Sequence, residues 1–206
     1  MRRSNPLVCV MLLLCLCFMQ FCLNAQDTLI LIDRKPFVVD WYEIKPDEIA
    51  YRRPGKTRTI AIERDKVFSI KSPAKLEQVV YVQDTLENNW LTAAQMRDYI
   101  KGQNDARKYY RRRANLTAAA GFLTGGIGAG AGLFYGPLFV IGYTGIAGFS
   151  KPSFSAKNGY DPSFADNEFY REGFGTMAKR MVTRRSAIAA AAGYVVGAVG
   201  LTLFLQ

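Results

Sequence analysis

Three apolar runs without a single Asp, Glu, Lys or Arg constrain this chain more than any other feature: residues 7–23, 116–149 and 186–206. Uncharged runs of this length have few homes outside a bilayer, where every backbone N–H and C=O must be paired within its own segment. Placement is therefore far more legible than chemistry.

The first run has the three-part layout of an export signal. Arg2 and Arg3 form a basic start, residues 7–23 an apolar core, and Leu23-Asn24-Ala25 ends in a small residue before Gln26. We expect a signal peptide over 1–25, cleaved after Ala25; the alternative is an uncleaved anchor helix. Cys22 follows Phe21 and Cys17 follows Leu16, where lipidation needs a small residue, so lipid attachment is not expected. With Cys9 and Cys15, these are the only cysteines, so the mature chain would carry none, and the sequence has no histidine. Disulfide frameworks, thiolate nucleophiles, zinc sites and His-based triads fall away together. Enzymatic activity, a cofactor and a metal are not expected.

The net charge is +10. Much of the excess flanks the apolar runs: Lys108, Arg111, Arg112 and Arg113 before one, Lys179, Arg180, Arg184 and Arg185 before the other. Juxtamembrane cations of this kind attract anionic headgroups at about 1 kcal/mol each. We take Arg111, Arg112, Arg113, Arg184 and Arg185 as contacts to anionic lipid. Nucleic acid, the rival partner for a basic chain, is not expected of an exported protein whose cations border its apolar runs.

Between the signal and residue 83 the pattern is that of short strands. Residues 28–32 are β-rich, and Phe37, Val39 and Trp41 alternate with Val38, Asp40 and Tyr42. Segments 48–52, 58–63, 67–70 and 78–82 follow, with a Pro54-Gly55 turn and Pro73 between the last two. No helix interrupts them, so a small antiparallel barrel or sandwich over 26–85 is expected, near the lower size limit for independent stability. Thr92-Ala93-Ala94-Gln95 then fits a capping box. Met96, Tyr99, Ile100, Ala106 and Tyr110 form one stripe at helical spacing, with Gly102 weakening the middle by about 1 kcal/mol against Ala. A helical stalk over 91–113, continuing into the membrane run, is the reading.

Asp27-Thr28-Leu29-Ile30-Leu31, Val67-Phe68-Ser69-Ile70-Lys71, Met96-Arg97-Asp98-Tyr99-Ile100-Lys101-Gly102, Asp105-Ala106-Arg107-Lys108-Tyr109-Tyr110 and Phe169-Tyr170-Arg171-Glu172-Gly173-Phe174 together resemble a family of bacterial envelope proteins. That family combines an export signal, a small β-rich module, a helical stalk and C-terminal membrane helices. Phe174 stands where the family tends to have Tyr, and Lys35-Pro36 where it has Gly. The resemblance implies architecture and an envelope location, and carries no activity.

The membrane runs are rich in small residues. Gly128, Gly132 and Gly136 recur every four residues in one, and Ala189, Gly193 and Gly197 in the other. Such stripes let helices approach closely, within one chain or between copies. A single helix over 116–149 would measure about 51 Å against a hydrocarbon core of about 30 Å. Gly136-Pro137 offers a break, giving a span over 116–135 and a shorter helix over 137–149; a tight two-pass hairpin is the alternative. A polar loop over 150–185 and a second transmembrane helix over 186–206 complete the reading. Export would place 26–113 on the periplasmic side of the inner membrane and 151–185 in the cytoplasm, which the positive-inside rule supports only in part.

Catalytic-looking strings are weak. Gly173-Phe174-Gly175-Thr176-Met177-Ala178 matches a dinucleotide pattern without the preceding strand. Asp47 with Glu48 and Glu63 with Asp65 read as solvated turn carboxylates. The expectation is thus an α+β membrane protein: a non-enzymatic, anchored envelope protein whose β module binds an envelope protein partner, with Trp41, Tyr42, Tyr51 and Tyr81 as candidate face residues. The alternative is a transport or pore component that forms a homo-oligomer through its glycine-striped helices, against which stands the absence of ionisable residues in both runs.

Overall fold

The computed structural model describes residues 26–204, apart from 74, 85–88, 156, 158 and the side chain of Leu133. The signal reading of 1–25 and the last two residues of the second membrane run lie outside that range. The chain divides into two compact units, one ending at Val82 and one beginning at Gln83.

The described part of the first unit is built of strands, with one 3-10 turn at Arg64–Lys66. Seven strands, β1 (Asp27–Leu31), β2 (Phe37–Val39), β3 (Trp41–Ile44), β4 (Glu48–Arg52), β5 (Thr59–Glu63), β6 (Val67–Lys71) and β7 (Gln78–Val79), make two antiparallel sheets in the orders β2-β1-β6-β7 and β3-β4-β5. Leu29, Leu31, Val39, Val67, Ile70 and Val80 from one sheet share a core with Ile49 and Tyr51 from the other. The sheets stay separate, so the barrel alternative is not realised. The expected single strand through Phe37, Val39 and Trp41 is also corrected. Asp40 turns the chain from one sheet into the other, its N–H bonding Arg52 O at 3.0 Å. The alternation changes phase there: Val39 is buried while Trp41 is 39% exposed.

The second unit is helical. Helix α1 (Ala93–Tyr109) starts at the expected capping box: the Thr92 hydroxyl accepts from the Gln95 N–H at 3.3 Å and the Gln95 side chain accepts from the Thr92 N–H at 2.8 Å. Helix α2 (Arg111–Gly130) follows almost without interruption, since Tyr110 N–H still bonds Ala106 O at 2.9 Å and Ala114 N–H bonds Tyr110 O at 3.1 Å. Gly132, at φ +84°, reverses the chain into α3 (Gly132–Phe149), a left-handed conformation that glycine adopts without strain. Residues 150–167 then lead to α4 (Glu168–Phe204).

Contacts fix the directions. Gly121 and Gly128 of α2 lie against Tyr143 and Phe139 of α3, an antiparallel hairpin. Gly173 lies against Tyr99, Gly193 against Phe122 and Gly197 against Gly126, so α4 runs parallel to α1 and α2.

Three expectations for this unit need correction. The break in 116–149 falls at Ala131-Gly132, not Gly136-Pro137; Pro137 sits inside α3, which continues around it. The polar loop ends at residue 167, because Asn167 caps a helix by accepting from the Tyr170 N–H at 3.0 Å and the stripe Tyr170, Phe174, Met177, Ala178, Val182 buries against its neighbours. Finally, α1 is no bare stalk, since its stripe packs on α4. The loop also folds back onto α1, with Lys101 Nζ 2.9 Å from the Asp161 carboxylate, which sets residues 93–113 and 151–167 together.

Candidate functional site

The helical unit has two halves built on opposite rules. In the half made of α1, the loop and the start of α4, large aromatics pack together, with Tyr110, Tyr160, Tyr170 and Phe174 buried and Phe154 at the exposed edge. Tyr110, Phe154, Tyr160, Phe164, Tyr170 and Phe174 stack at ring-centroid separations of 5.1–6.3 Å, in the tilted and edge-on arrangements that ring quadrupoles favour. Charged groups seal this cluster. The Tyr170 hydroxyl donates to Asp105 at 2.9 Å and accepts from the Asp161 N–H at 3.2 Å. Lys101 Nζ sits 3.4 Å from the Phe164 centroid while pairing with Asp161, and Asn167 Nδ2 reaches Asp98 at 2.7 Å. Hydrogen bonds from the Ser163 hydroxyl and N–H, together with Lys101, pull the Asp161 carboxyl down to about 2.

Lys, Tyr and Asp side by side are residue types an enzyme can use. Here, however, their polar atoms are committed to one another and join elements 60 or more positions apart. The cluster is a latch between α1, the loop and α4. Sequence reasoning missed it because no local spacing brings its members together.

In the other half the rule inverts: small residues are inside and large apolar ones outside. A Cβ on Gly125 would lie 1.9 Å from Ala190 O, and one on Gly193 2.0 Å from Phe122 O, so backbones meet directly. Phe122, Leu123, Ile127, Phe134, Ile141, Ile146, Phe149, Ile188, Val195, Val199 and Phe204 face outward, Phe134 at 90% exposure. Exposed apolar surface of this extent marks a face that meets other protein or a membrane, and small residues at crossings with apolar exteriors are also found where helices pack in lipid. Among the described residues, α4 is the one helix that by length and composition could cross a membrane, with a shorter apolar helix at Phe134–Phe149.

The expected packing residues distribute unevenly over these contacts. Gly128 and Gly136 face each other across the α2–α3 hairpin, and the Tyr194 ring closes over Gly136. Gly193 and Gly197 line the α2–α4 crossing. Gly132 meets nothing within 4 Å and serves as the turn. Ala189 is only half-buried; Ala190, fully buried one position on, makes the contact with Gly125. Among the arginines, Arg111, Arg112, Arg113 and Arg184 are exposed where the apolar surface begins. Arg185 is committed inside the unit, donating to Arg111 O at 3.3 Å and to Asn115 Oδ1.

The remaining candidates resolve into structural roles. Tyr51 and Tyr81 are buried in the β unit, leaving Trp41 and half-buried Tyr42 at its surface; burial pushes the Tyr81 hydroxyl up from its ordinary value. Glu48 pairs with Lys45 at 2.8 Å and Glu63 with Lys66 at 2.5 Å, both exposed. The string from Gly173 to Ala178 lies within α4, where it forms no phosphate-binding loop. Among the described residues no cluster of acids could hold a metal ion.

No family model, curated protein or solved structure matches the chain. The functional reading therefore rests on its own geometry.

Proposed function

We propose that the chain is a non-enzymatic membrane-anchored protein that presents its β unit to a partner in the bacterial envelope. The observation that carries the reading is the inverted packing of α2, α3 and the second half of α4, with glycine and alanine at the crossings and Phe, Ile, Leu and Val outside. Residues 114–130, 134–149 and 186–204 would span about 24–28 Å at 1.5 Å per residue, slightly short of a hydrocarbon core of about 30 Å, a mismatch that modest local thinning accommodates. An export signal over 1–25 would carry residues 26–113 to the periplasmic side of the inner membrane. With three crossings the loop 150–167 returns to that same side, in keeping with its ion pair to α1, and the end of α4 faces the cytoplasm. This replaces the two-span topology expected from the sequence.

Within this reading α1 and the start of α4 stand in water above three short spans, and the exposed Arg111, Arg112, Arg113 and Arg184 lie at headgroup level. Trp41, exposed on an outer strand of the three-stranded sheet, is the residue through which the β unit would meet its partner. The oligomeric pore has less support, because Gly125, Gly193 and Gly197 are occupied by contacts inside one chain.

Two measurements test the proposal. Alkaline carbonate should leave the protein in the membrane pellet; release into the supernatant overturns anchoring. With the native cysteines replaced by serine, Lys56→Cys and Lys157→Cys should both react with an impermeant thiol reagent in spheroplasts, while Leu203→Cys resists. Labelling at Lys56→Cys and Leu203→Cys with Lys157→Cys protected would restore the two-span topology.

A further inference from the structure

A groove of about 680 Å³ runs between α3 and α4, lined by Val140, Ile141, Gly145 and Phe149 on one side and Lys179 and Thr183 on the other. Its floor is low because Gly145 has open space where a side chain would stand and Gly148 rests against Thr183. It extends roughly 14 Å along α3 at 1.5 Å per residue. Thr144 satisfies its own hydroxyl on Val140 O at 2.7 Å, so the groove presents almost only carbon below its mouth. The mouth is different. Lys179 lies there, one turn of α4 beyond Thr183, and among the described residues it has no ion pair or hydrogen bond.

Resting on the membrane reading above, we infer that this groove holds one anionic phospholipid of the surrounding bilayer, its phosphate at Lys179 and one acyl chain along Val140, Ile141, Gly145 and Phe149. The polarity is what selects this occupant. A single cation at one end and apolar walls at the other match a molecule with one anionic head and a hydrocarbon tail. The charge also lies where it should: Lys179 is outside the apolar stretch of α4 that begins at Ser186, at the depth of headgroups, while Val140 and Ile141 lie within the apolar layer. Basic pockets between membrane helices recognise acidic headgroups in this way.

The test uses the full chain reconstituted in phosphatidylcholine vesicles containing a minority of phosphatidylglycerol with a photoactivatable acyl chain. Label recovered on residues 140–149 and 183–187 should exceed that on the outward face of α2, residues 122–127, by several-fold. Lys179→Gln should cut the excess at least threefold, whereas Arg180→Gln, removing an exposed neighbouring cation, should leave it. Gly145→Leu, whose Cβ has open space and whose side chain would occupy the groove, should abolish the excess. Label spread evenly over all outward faces, or equal loss from Lys179→Gln and Arg180→Gln, would overturn the site while leaving the anchor intact. Crosslinking of Gly145→Cys between copies, with loss of lipid label, would overturn it in favour of a dimer. Extraction of the protein by carbonate would instead remove the membrane reading itself.

Discussion

Gly102→Ala distinguishes a free stalk from a packed one by the sign of its effect. In an isolated or solvent-exposed helix, alanine in place of glycine stabilises by about 1 kcal/mol. In this structure the new Cβ would stand 2.2 Å from Tyr170 O and 2.8 Å from Phe174 N, both backbone atoms of α4 that no rotamer change can move. Restoring ordinary contact requires the two helices to part by about 1 Å, and overpacking of this kind costs about 1–3 kcal/mol. The same displacement stretches the 2.9 Å bond from the Tyr170 hydroxyl to Asp105, and a hydrogen bond to a charged group is worth about 1.5–3 kcal/mol when lost outright. Setting partial loss of that bond and the overpacking against the propensity gain leaves a net destabilisation of about 2 kcal/mol.

Gly173→Ala should behave alike, because its Cβ would lie 2.1 Å from Tyr99 O at the same crossing. One separation of the helices relieves both clashes, so the double variant should lose less than the sum of the singles by about 1 kcal/mol. Chemical denaturation of the full chain in mild detergent, followed by helical circular dichroism, reads all three. If Gly102→Ala is as stable as the parent or more so, α1 does not pack on α4 and the latch is refuted.

Further outcomes follow from the same geometry. Gly125→Ala and Gly193→Ala should each weaken the small-residue half by about 1–2 kcal/mol, while Gly142→Ala, with open space around it, should not; three equal midpoints in a detergent titration would contradict the inverted packing. Thr92→Ala should cost about 1 kcal/mol through its capping box, read by thermal denaturation. Asp161, held at about 2 against an ordinary 3.8, contributes stability that is present above pH 4 and lost as pH falls towards 2. Asp161→Asn should therefore melt lower than the parent at pH 6 and lose less on acidification, and parallel melting curves would sink the assignment.

Much of this was legible in the sequence, and the failures share a cause. The strands, the capping box and the stripe from Met96 to Tyr110 were readable because each is a local pattern: a period of two, a four-residue motif, a helical period. The helix over 168–185 carried the same signal in Tyr170, Phe174, Met177, Ala178 and Val182, but the charges between them mark a solvent face and read as loop. The break at Gly132 was not readable, since Pro137 is the stronger local breaker and only the pairing of α2 with α3 favours the earlier turn. Ala189 and Ala190 differ by one position, and only the direction of approach of α2 decides which is inside.

Glycine is where local and tertiary logic part most clearly. Taken alone, Gly102 is a weak point in an otherwise good helix. Opposite Gly173 it is the position that lets two backbones meet, and Gly125 with Gly193 repeats the device further along the same helix pair. The partners advance in step, from Tyr99 with Gly173 through Phe122 with Gly193 to Gly126 with Gly197, so α1–α2 and α4 stay in register across the small break at Tyr110. That continuity has a consequence under the proposed function. The aromatic latch in water and the small-residue crossing in lipid are two ends of one rigid strut, and pulling Tyr170 away from Asp105 would have to be resisted by Gly193 against Phe122. The residues around Arg111 and Arg185, where α2 and α4 are tied together at the change of environment, are then the point at which strain on the water side would pass into the membrane.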